Sequence, residues 1–247
     1  MIVARRAICR VVQGPEIRNN GTFAQQQHRV KVICWHKCIC ARYRRHRLDI
    51  RLARDRLATH FAALISAAFD WLVTVDPHLH RRSSLAEIYS IPAATVAAAP
   101  ALAKWIAENI SNPLIVGPDA ESEQWAAEVA AACGAPHAIM HKTRLGDRQV
   151  EIQAPPLSQW KDRTPVLIDD IISSARTMAL AAKKIREAGL DAPVCVGVHG
   201  VFSPDALGAL RDAGAARIVT TNTIAHETNA IDVSALVARG IESVRKS

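Results

Sequence analysis

The sequence lacks long apolar segments and a cysteine framework. Nowhere in its 247 residues do about 18 uncharged apolar residues run consecutively, as a membrane-spanning helix requires. Basic residues stand near the amino terminus, but no apolar run follows them as it does in a secretory signal. Six cysteines are too few for a disulfide framework in a chain of this length. We therefore expect a cytoplasmic protein with reduced thiols and no membrane partner.

Acidic residues are scarce in the first part of the chain. Residues 1–56 contain 14 Lys or Arg and three Asp or Glu, a net charge of +11. Residues 57–247 contain 17 and 20, a net charge of −3, so the overall charge of +8 reflects the first segment alone. With 49% hydrophobic residues the chain can bury a sizeable core, so the chain as a whole is not intrinsically disordered.

Residues 1–56 show no convincing periodicity and allow two interpretations. Zinc could bind to a cluster that comprises Cys34, His36, Cys38, Cys40 and His46. The cluster lacks the paired Cys-x₂-Cys spacing of structural zinc sites. The basic run 42–47 could contact nucleic-acid phosphates, but it matches no known nucleic-acid-binding motif. We disfavour both interpretations and expect no nucleic-acid partner.

From about residue 57 helical and extended patterns alternate. The predicted helices are 57–69, 99–110, 123–133, 177–188 and 204–213. The predicted strands are 71–75, 114–116, 137–141, 165–170, 194–198 and 217–221. Such alternation predicts an α/β fold with a mostly parallel sheet, in which ligands bind beyond the carboxyl ends of the strands. Polar side chains follow five of these strands, at 76–78, 117–119, 141–144, 169–170 and 221–223.

The strongest motif is residues 166–178, VLIDDIISSARTM. An apolar strand ends in Asp169 and Asp170, and a loop of small and hydroxyl residues then opens a helix. The N–H groups of such a loop can bind a phosphate, and the hydroxyls of Ser173, Ser174 and Thr177 add donors. The carboxylates suit ribose hydroxyls or a hydrated Mg²⁺. The pattern favours a sugar phosphate, although an ordinary strand, turn and helix would have the same spacing.

This segment resembles the phosphoribosyl-pyrophosphate loop of the type I phosphoribosyltransferase fold. Further motifs follow in the order found in ribose-phosphate pyrophosphokinases (PRPP synthetases). Residues 74–78 (TVDPH) resemble the metal motif of that family, and 115–122 (IVGPDAES) resemble its pyrophosphate-side loop. Residues 141–144 (HKTR) resemble its Lys-x-Arg catalytic loop, and 198–203 with 219–224 its carboxyl-terminal pattern. The resemblance covers about residues 59–240.

The resemblance implies transfer of the diphosphoryl group of ATP to the 1-hydroxyl of ribose 5-phosphate, which yields PRPP and AMP for nucleotide biosynthesis. It implies catalytic roles for Lys142 and Arg144, and Mg²⁺ coordination by His78 and Asp119, with Asp76 in the same cluster. The ribose 5-phosphate site that it implies consists of Asp169, Asp170, Ser173, Ser174, Ala175, Arg176 and Thr177. ATP and ribose 5-phosphate would be the ligands, and the family analogy implies a homo-oligomer.

The chain departs from the family pattern at two places. Ala175 stands where this loop usually has glycine, and its methyl group would be strained if φ is positive. No Arg-Gln-Asp adenine-side motif occurs, and the resemblance fails over residues 1–56. Its abrupt return near Thr59 leads to the hypothesis that a frameshifted or misassigned start precedes a genuine remainder.

We expect two phosphoribosyltransferase-like (Rossmann-like) α/β lobes, of which the first is incomplete. Residues 1–56 form a divergent basic segment, 57–98 the rest of the first lobe and 99–247 the second. A PRPP-consuming phosphoribosyltransferase, or a catalytically impaired homologue with a binding or regulatory role, remains an alternative function, and ATP binding would distinguish the synthetase from both alternatives. We also expect Cys133 and Cys195 to be inert core thiols, and His199, at a strand end, to be structural rather than catalytic.

Overall fold

The computed structural model describes residues 8–9, 32–33, 50–77, 84–144 and 150–245, which divide into two compact units. The first unit comprises Met1–Ala97 and Ser234–Ser247, and the second comprises Ala98–Val233. The division after residue 97 lies one residue from the position expected from the sequence. The carboxyl-terminal segment differs from that expectation, because it belongs to the first unit.

The structure alternates strands and helices along the chain. The strands are β1 (Ile8–Cys9), β2 (Val32–Ile33), β3 (Leu72–Val75), β4 (Ala93–Val96), β5 (Pro113–Gly117), β6 (His137–Ile139), β7 (His141–Arg144), β8 (Val150–Gln153), β9 (Thr164–Ile172), β10 (Val194–Gly200), β11 (Arg217–Thr221) and β12 (Asn229–Ile231). The α-helices are α1 (Ile50–Ala68), α2 (Ala99–Asn109), α3 (Glu123–Cys133), α4 (Arg176–Glu187), α5 (Ala206–Asp212) and α6 (Ser234–Arg245). Within these ranges, no helix combines the length and apolarity needed to cross a membrane.

The first unit contains a sheet in the order β1-β2-β3-β4. Strand β1 runs antiparallel to β2, whereas β2, β3 and β4 are mutually parallel. Helix α6 packs on β3 and β4. A Cβ atom on Gly240 would lie 2.7 Å from a methyl group of Val96 and 3.0 Å from one of Val73. The absence of a side chain at residue 240 therefore lets the last helix approach this sheet.

The second unit contains a fully parallel sheet in the order β12-β11-β10-β9-β5-β6. Every residue of β10 is buried, as expected for a central strand that is covered on both faces. Helix α4 contributes Met178, Ala182 and Ile185 to the core. The α/β fold with mostly parallel sheets is therefore confirmed, and all these strands direct their carboxyl ends to one edge of the sheet.

Residues 137–153 differ from the single strand expected at 137–141. Strand β6 ends at Ile139, and β7 then pairs in antiparallel register with β8 outside the main sheet. Residues 145–149, which connect the two strands, lie outside the described residues. The backbone of residues 141–144 is therefore part of a hairpin rather than of the parallel sheet.

Candidate functional site

The two adjacent carboxylates lie near the carboxyl end of β9. The strand is fully buried from Val166 to Ile168, and Asp169 and Asp170 are half-buried. The N–H of Asp170 donates a hydrogen bond to Oδ1 of Asp169 at 3.0 Å. Gly197 of β10 lies opposite Asp169 in the parallel register. This places a carboxylate pair at the edge where ligands of parallel sheets bind.

The loop at residues 173–176, here called the phosphate loop, turns the chain from β9 into α4. Ser173 is half-buried and Ser174 is exposed. Ala175 adopts the left-handed conformation, with φ 56° and ψ 6°, and is only 7% exposed. It occupies the N-cap position without a side-chain cap. Because the first N–H groups of a helix have no intrahelical acceptors, this loop offers donors and a positive dipole end to an anion.

Backbone hydrogen bonds hold the phosphate loop against the segment that follows β10. The N–H of Val201 donates to the carbonyl of Ile172 at 2.9 Å, and the N–H of Ser203 donates to that of Ser173 at 3.0 Å. A Cβ atom on Gly200 would lie 2.8 Å from the ring of Phe202. The position of the phosphate loop therefore depends on where β10 ends.

A second loop, residues 117–122, follows the neighbouring strand β5. Asp119 is half-buried, and its Oδ1 accepts a hydrogen bond from the N–H of Glu121 at 3.2 Å. The hydroxyl of buried Ser122 donates to the carbonyl of Asp119 at 2.6 Å. A Cβ atom on Gly117 would clash with this hydroxyl. Because β5 and β9 are adjacent and parallel, Asp119 lies at the same sheet edge as the carboxylate pair.

The structure describes the other sequence-predicted site residues only in part. Asp76 follows β3 in the first unit, is half-buried with φ 34°, and its N–H donates to the carbonyl of Val96 at 3.0 Å. His78 lies outside the described residues. Lys142 and Arg144 pair through the backbone of β7 with Ile152 and Val150 of β8, and their side chains lie outside the description.

Metal ligands are sparse in the part of the chain that the structure describes. No group of three or more His, Cys, Asp or Glu side chains there could hold a metal ion, and the cluster Cys34–Cys40 lies outside those residues. Asp119 offers one half-exposed carboxylate at the ligand edge. This donor set fits Mg²⁺, which usually binds one or two carboxylates and takes its other ligands from water and substrate phosphates.

Two cysteine thiols outside the site have raised pKa values. Burial raises the pKa of Cys195 to about 12, and burial also raises the pKa of Cys133. Both shifts favour the protonated thiol near neutral pH. Cys195 lies in the core as expected, whereas Cys133 is only half-buried. Burial likewise raises the pKa of Tyr89 in the first unit to about 12.

The sequence did not reveal a buried polar network behind the phosphate loop. His199 is 1% exposed, and its Nδ1 lies 2.9 Å from Oγ1 of Thr223. The hydroxyls of Thr221 and Thr223 both contact the carbonyl of Val198. The available signal was a histidine near the end of β10 together with one threonine at the end of β11 and another just after it, which only the parallel register brings together.

Comparison with known proteins agrees with this arrangement. The phosphoribosyl transferase domain model matches residues 84–237. A ribose-phosphate pyrophosphokinase from Methanopyrus kandleri is 32% identical over 185 residues, which cover 74% of this chain and 62% of that protein. The crystal structure of phosphoribosylpyrophosphate synthetase from Mycobacterium smegmatis matches with a TM-score of 0.63 and 26% identity, over 77% of this chain and 64% of that one.

The chain thus spans somewhat less than two thirds of the length of these two relatives. The matched domain covers more than half of the chain and includes both loops at the ligand edge of the sheet. The chain therefore belongs to the phosphoribosyl transferase domain family, and its resemblance to the ribose-phosphate pyrophosphokinases within that fold is confirmed.

Proposed function

We propose that this chain is a ribose-phosphate pyrophosphokinase that converts ATP and ribose 5-phosphate into PRPP and AMP. The observation that carries the proposal is the carboxylate pair Asp169 and Asp170 next to an anion-binding helix start at Ala175. A ligand that joins a phosphate to a polyhydroxylated ring matches this pair of environments. The names of the two relatives, a ribose-phosphate pyrophosphokinase and a phosphoribosylpyrophosphate synthetase, support a ribose phosphate as substrate and PRPP as product.

In this proposal the 5-phosphate binds the phosphate loop through its backbone N–H groups and the hydroxyls of Ser173, Ser174 and Thr177. Arg176, which begins α4, adds positive charge. Asp169 and Asp170 accept hydrogen bonds from the ribose hydroxyls. The sugar is then held at both ends, which orients its 1-hydroxyl and lowers the entropic part of the barrier.

The reaction forms a bond between the 1-hydroxyl oxygen and the β-phosphorus of ATP. The bond from that phosphorus to the oxygen of the α-phosphate breaks, AMP leaves, and the hydroxyl proton is released. Lys142 and Arg144 would neutralise charge on the transferring group. Asp119 would contribute a carboxylate ligand to Mg²⁺, which when bound with ATP would reduce repulsion among the triphosphate oxygens. The family resemblance implies Mg²⁺-binding roles for Asp76 and His78 as well. By analogy with the family, the enzyme would be a homo-oligomer.

The test is AMP and PRPP formation by the purified chain with Mg²⁺, ATP and ribose 5-phosphate. We expect Lys142→Ala to lower kcat by about 10²–10³-fold, the usual effect of removing a donor that stabilises transition-state charge. Lys104→Ala is the matched control, because Lys104 is exposed on α2 and only weakly paired with Glu108. A folded chain that binds ribose 5-phosphate but makes no AMP would refute the proposal. Product formation from PRPP and a nucleobase would identify a phosphoribosyltransferase instead.

A further inference from the structure

The network behind the phosphate loop joins two loops at the ligand edge of the sheet. Oγ1 of Thr221 lies 2.7 Å from the carbonyl oxygen of Val198, and Oγ1 of Thr223 lies 3.0 Å from the same atom. The two hydroxyl oxygens are 3.0 Å apart, and Nδ1 of His199 lies 2.9 Å from that of Thr223. All these side chains are less than 9% exposed, so their mutual hydrogen bonds replace those to water.

The hydrogen bond between Nδ1 of His199 and Oγ1 of Thr223 does not depend on which of the two atoms carries the proton. The hydroxyl of Thr221 lies within hydrogen-bond distance of the carbonyl oxygen of Val198 and of Oγ1 of Thr223, and the hydroxyl of Thr223 can donate to that carbonyl or to the ring nitrogen. Either arrangement joins the ring of His199 to the loop after β11.

The network is connected to the phosphate loop through the backbone. From His199 the chain continues through Gly200 to Val201 and Ser203, whose N–H groups donate to Ile172 and Ser173. A Cβ atom on Gly200 would meet both the Phe202 ring and a methyl group of Thr220, so this segment is closely packed and transmits displacement.

The far side of the network is anchored as well. Thr223 lies in the loop between β11 and β12 next to Asn222. Nδ2 of Asn222 donates to Oδ1 of Asp232 at 2.7 Å, and its Oδ1 accepts from the N–H of Val233 at 3.0 Å. The hydrogen bond between His199 and Thr223 thus joins a loop that is anchored on Asp232 and Val233 to the segment that holds the phosphate loop.

We propose that His199 is a positioning residue for ribose 5-phosphate. The hydrogen bond between its Nδ1 and Oγ1 of Thr223 fixes the backbone after β10, and Val201 and Ser203 in turn hold the phosphate loop in the geometry that binds the 5-phosphate. The role rests on the proposed function, and it requires no contact between His199 and the substrate.

Two pairs of variants separate this role from general packing. Thr223→Val removes the hydroxyl at nearly constant shape, whereas Thr223→Ser keeps it. His199→Asn retains an amide group, which can donate or accept, near the place of Nδ1, whereas His199→Gln carries its amide group at the place of Nε2. We expect Thr223→Val and His199→Gln to raise the KM for ribose 5-phosphate about tenfold, equivalent to about 1.4 kcal/mol, with kcat and the KM for ATP little changed. Thr223→Ser and His199→Asn should retain most of the affinity.

The matched control is Ser66→Ala. Oγ of Ser66, in α1 of the first unit, accepts a hydrogen bond from the N–H of Ser90 at 3.2 Å. This variant loses a hydrogen-bonded hydroxyl that belongs neither to the network of His199 nor to the segment that holds the phosphate loop. We expect it to leave the KM for ribose 5-phosphate unchanged.

Amide hydrogen exchange tests whether the network of His199 holds the phosphate loop, and it does not require enzyme activity. Without substrate, Thr223→Val should accelerate exchange of the Val201 and Ser203 amides, and Ser66→Ala should not. Unchanged exchange and an unchanged KM in folded Thr223→Val would overturn the proposal while leaving the enzyme assignment intact. If the unaltered chain makes no PRPP, the proposed function fails, and the exchange rates alone decide whether the network holds the loop.

Discussion

Replacing Ala175 by glycine should leave the stability of the chain almost unchanged, although the substitution removes a buried methyl group. Ala175 has φ 56° and is 7% exposed in the core of the second unit. An L-residue with a side chain is strained in this conformation, because Cβ approaches the following carbonyl oxygen. Glycine adopts the conformation freely, so strain relief opposes the loss of burial.

The stabilising and destabilising contributions of Ala175→Gly to the free energy of unfolding nearly cancel. Relief of the left-handed conformation is worth about 1–2 kcal/mol. The greater freedom of glycine in the unfolded chain costs about 0.4–1 kcal/mol, and loss of one buried methyl costs about 0.8 kcal/mol. The free energy of unfolding should therefore change by less than about 1 kcal/mol.

Ala179 in α4 provides the matched control. It is 9% exposed in the same core but has ordinary helical geometry, so no strain is relieved when its methyl group is removed. Ala179→Gly should cost about 1.5 kcal/mol, from helix propensity and lost burial together. Urea unfolding of both variants measures the difference, provided that the m-value stays constant. If Ala175→Gly costs as much as Ala179→Gly, the left-handed strain at residue 175 is absent and the reasoning is wrong.

Two further predictions concern packing and alkaline stability. Gly240→Ala should destabilise the first unit by about 1–3 kcal/mol, because the added methyl group would be overpacked against Val96 and Val73. In the control Gly208→Ala, in α5, the added Cβ would meet nothing within 4 Å, so stability should rise by about 0.5–1 kcal/mol. Equal shifts of the melting temperature in the two variants would contradict this prediction. The raised pKa of Cys195 means that the unfolded chain loses the thiol proton above pH 9.0 while the folded chain keeps it up to about pH 12. The free energy of unfolding should therefore fall as pH rises through this window, and Cys195→Ala should weaken that fall in denaturation measured across it.

The sequence predicts regular elements well where the local signal and the packing agree. Helix α3 and strand β11 have the predicted bounds, because Gly134 with φ 67° ends the helix and a compact apolar run forms the strand. Strand β4 was missed because its sequence, AATV, is alanine-rich and buries only Val96 completely. Helix α6 was missed because Gly240, a weak helix former, interrupts its apolar positions, and its contact with β3 and β4 explains that glycine.

In the candidate site, too, the features that are local in sequence could be predicted and those that depend on the fold could not. The motif around Asp169 and Asp170 is continuous in sequence, so its strand, loop and helix could be anticipated before the fold was known. The left-handed conformation of Ala175 depends on atomic geometry and could be stated only as a condition. The bond between His199 and Thr223 joins residues 24 positions apart and follows from the pairing of β10 with β11.

The return of α6 to the first unit sets an order on biosynthesis. The ribosome completes every strand of the parallel sheet by Ile231, so the second unit can fold while the chain is still being made. Helix α6 emerges after that sheet, and until then its contact surface on β3 and β4 stays uncovered. The first unit therefore begins before the second and is completed after it, and a chain truncated between residues 233 and 245 would keep every strand of the parallel sheet but lack part or all of the helix that completes the first unit.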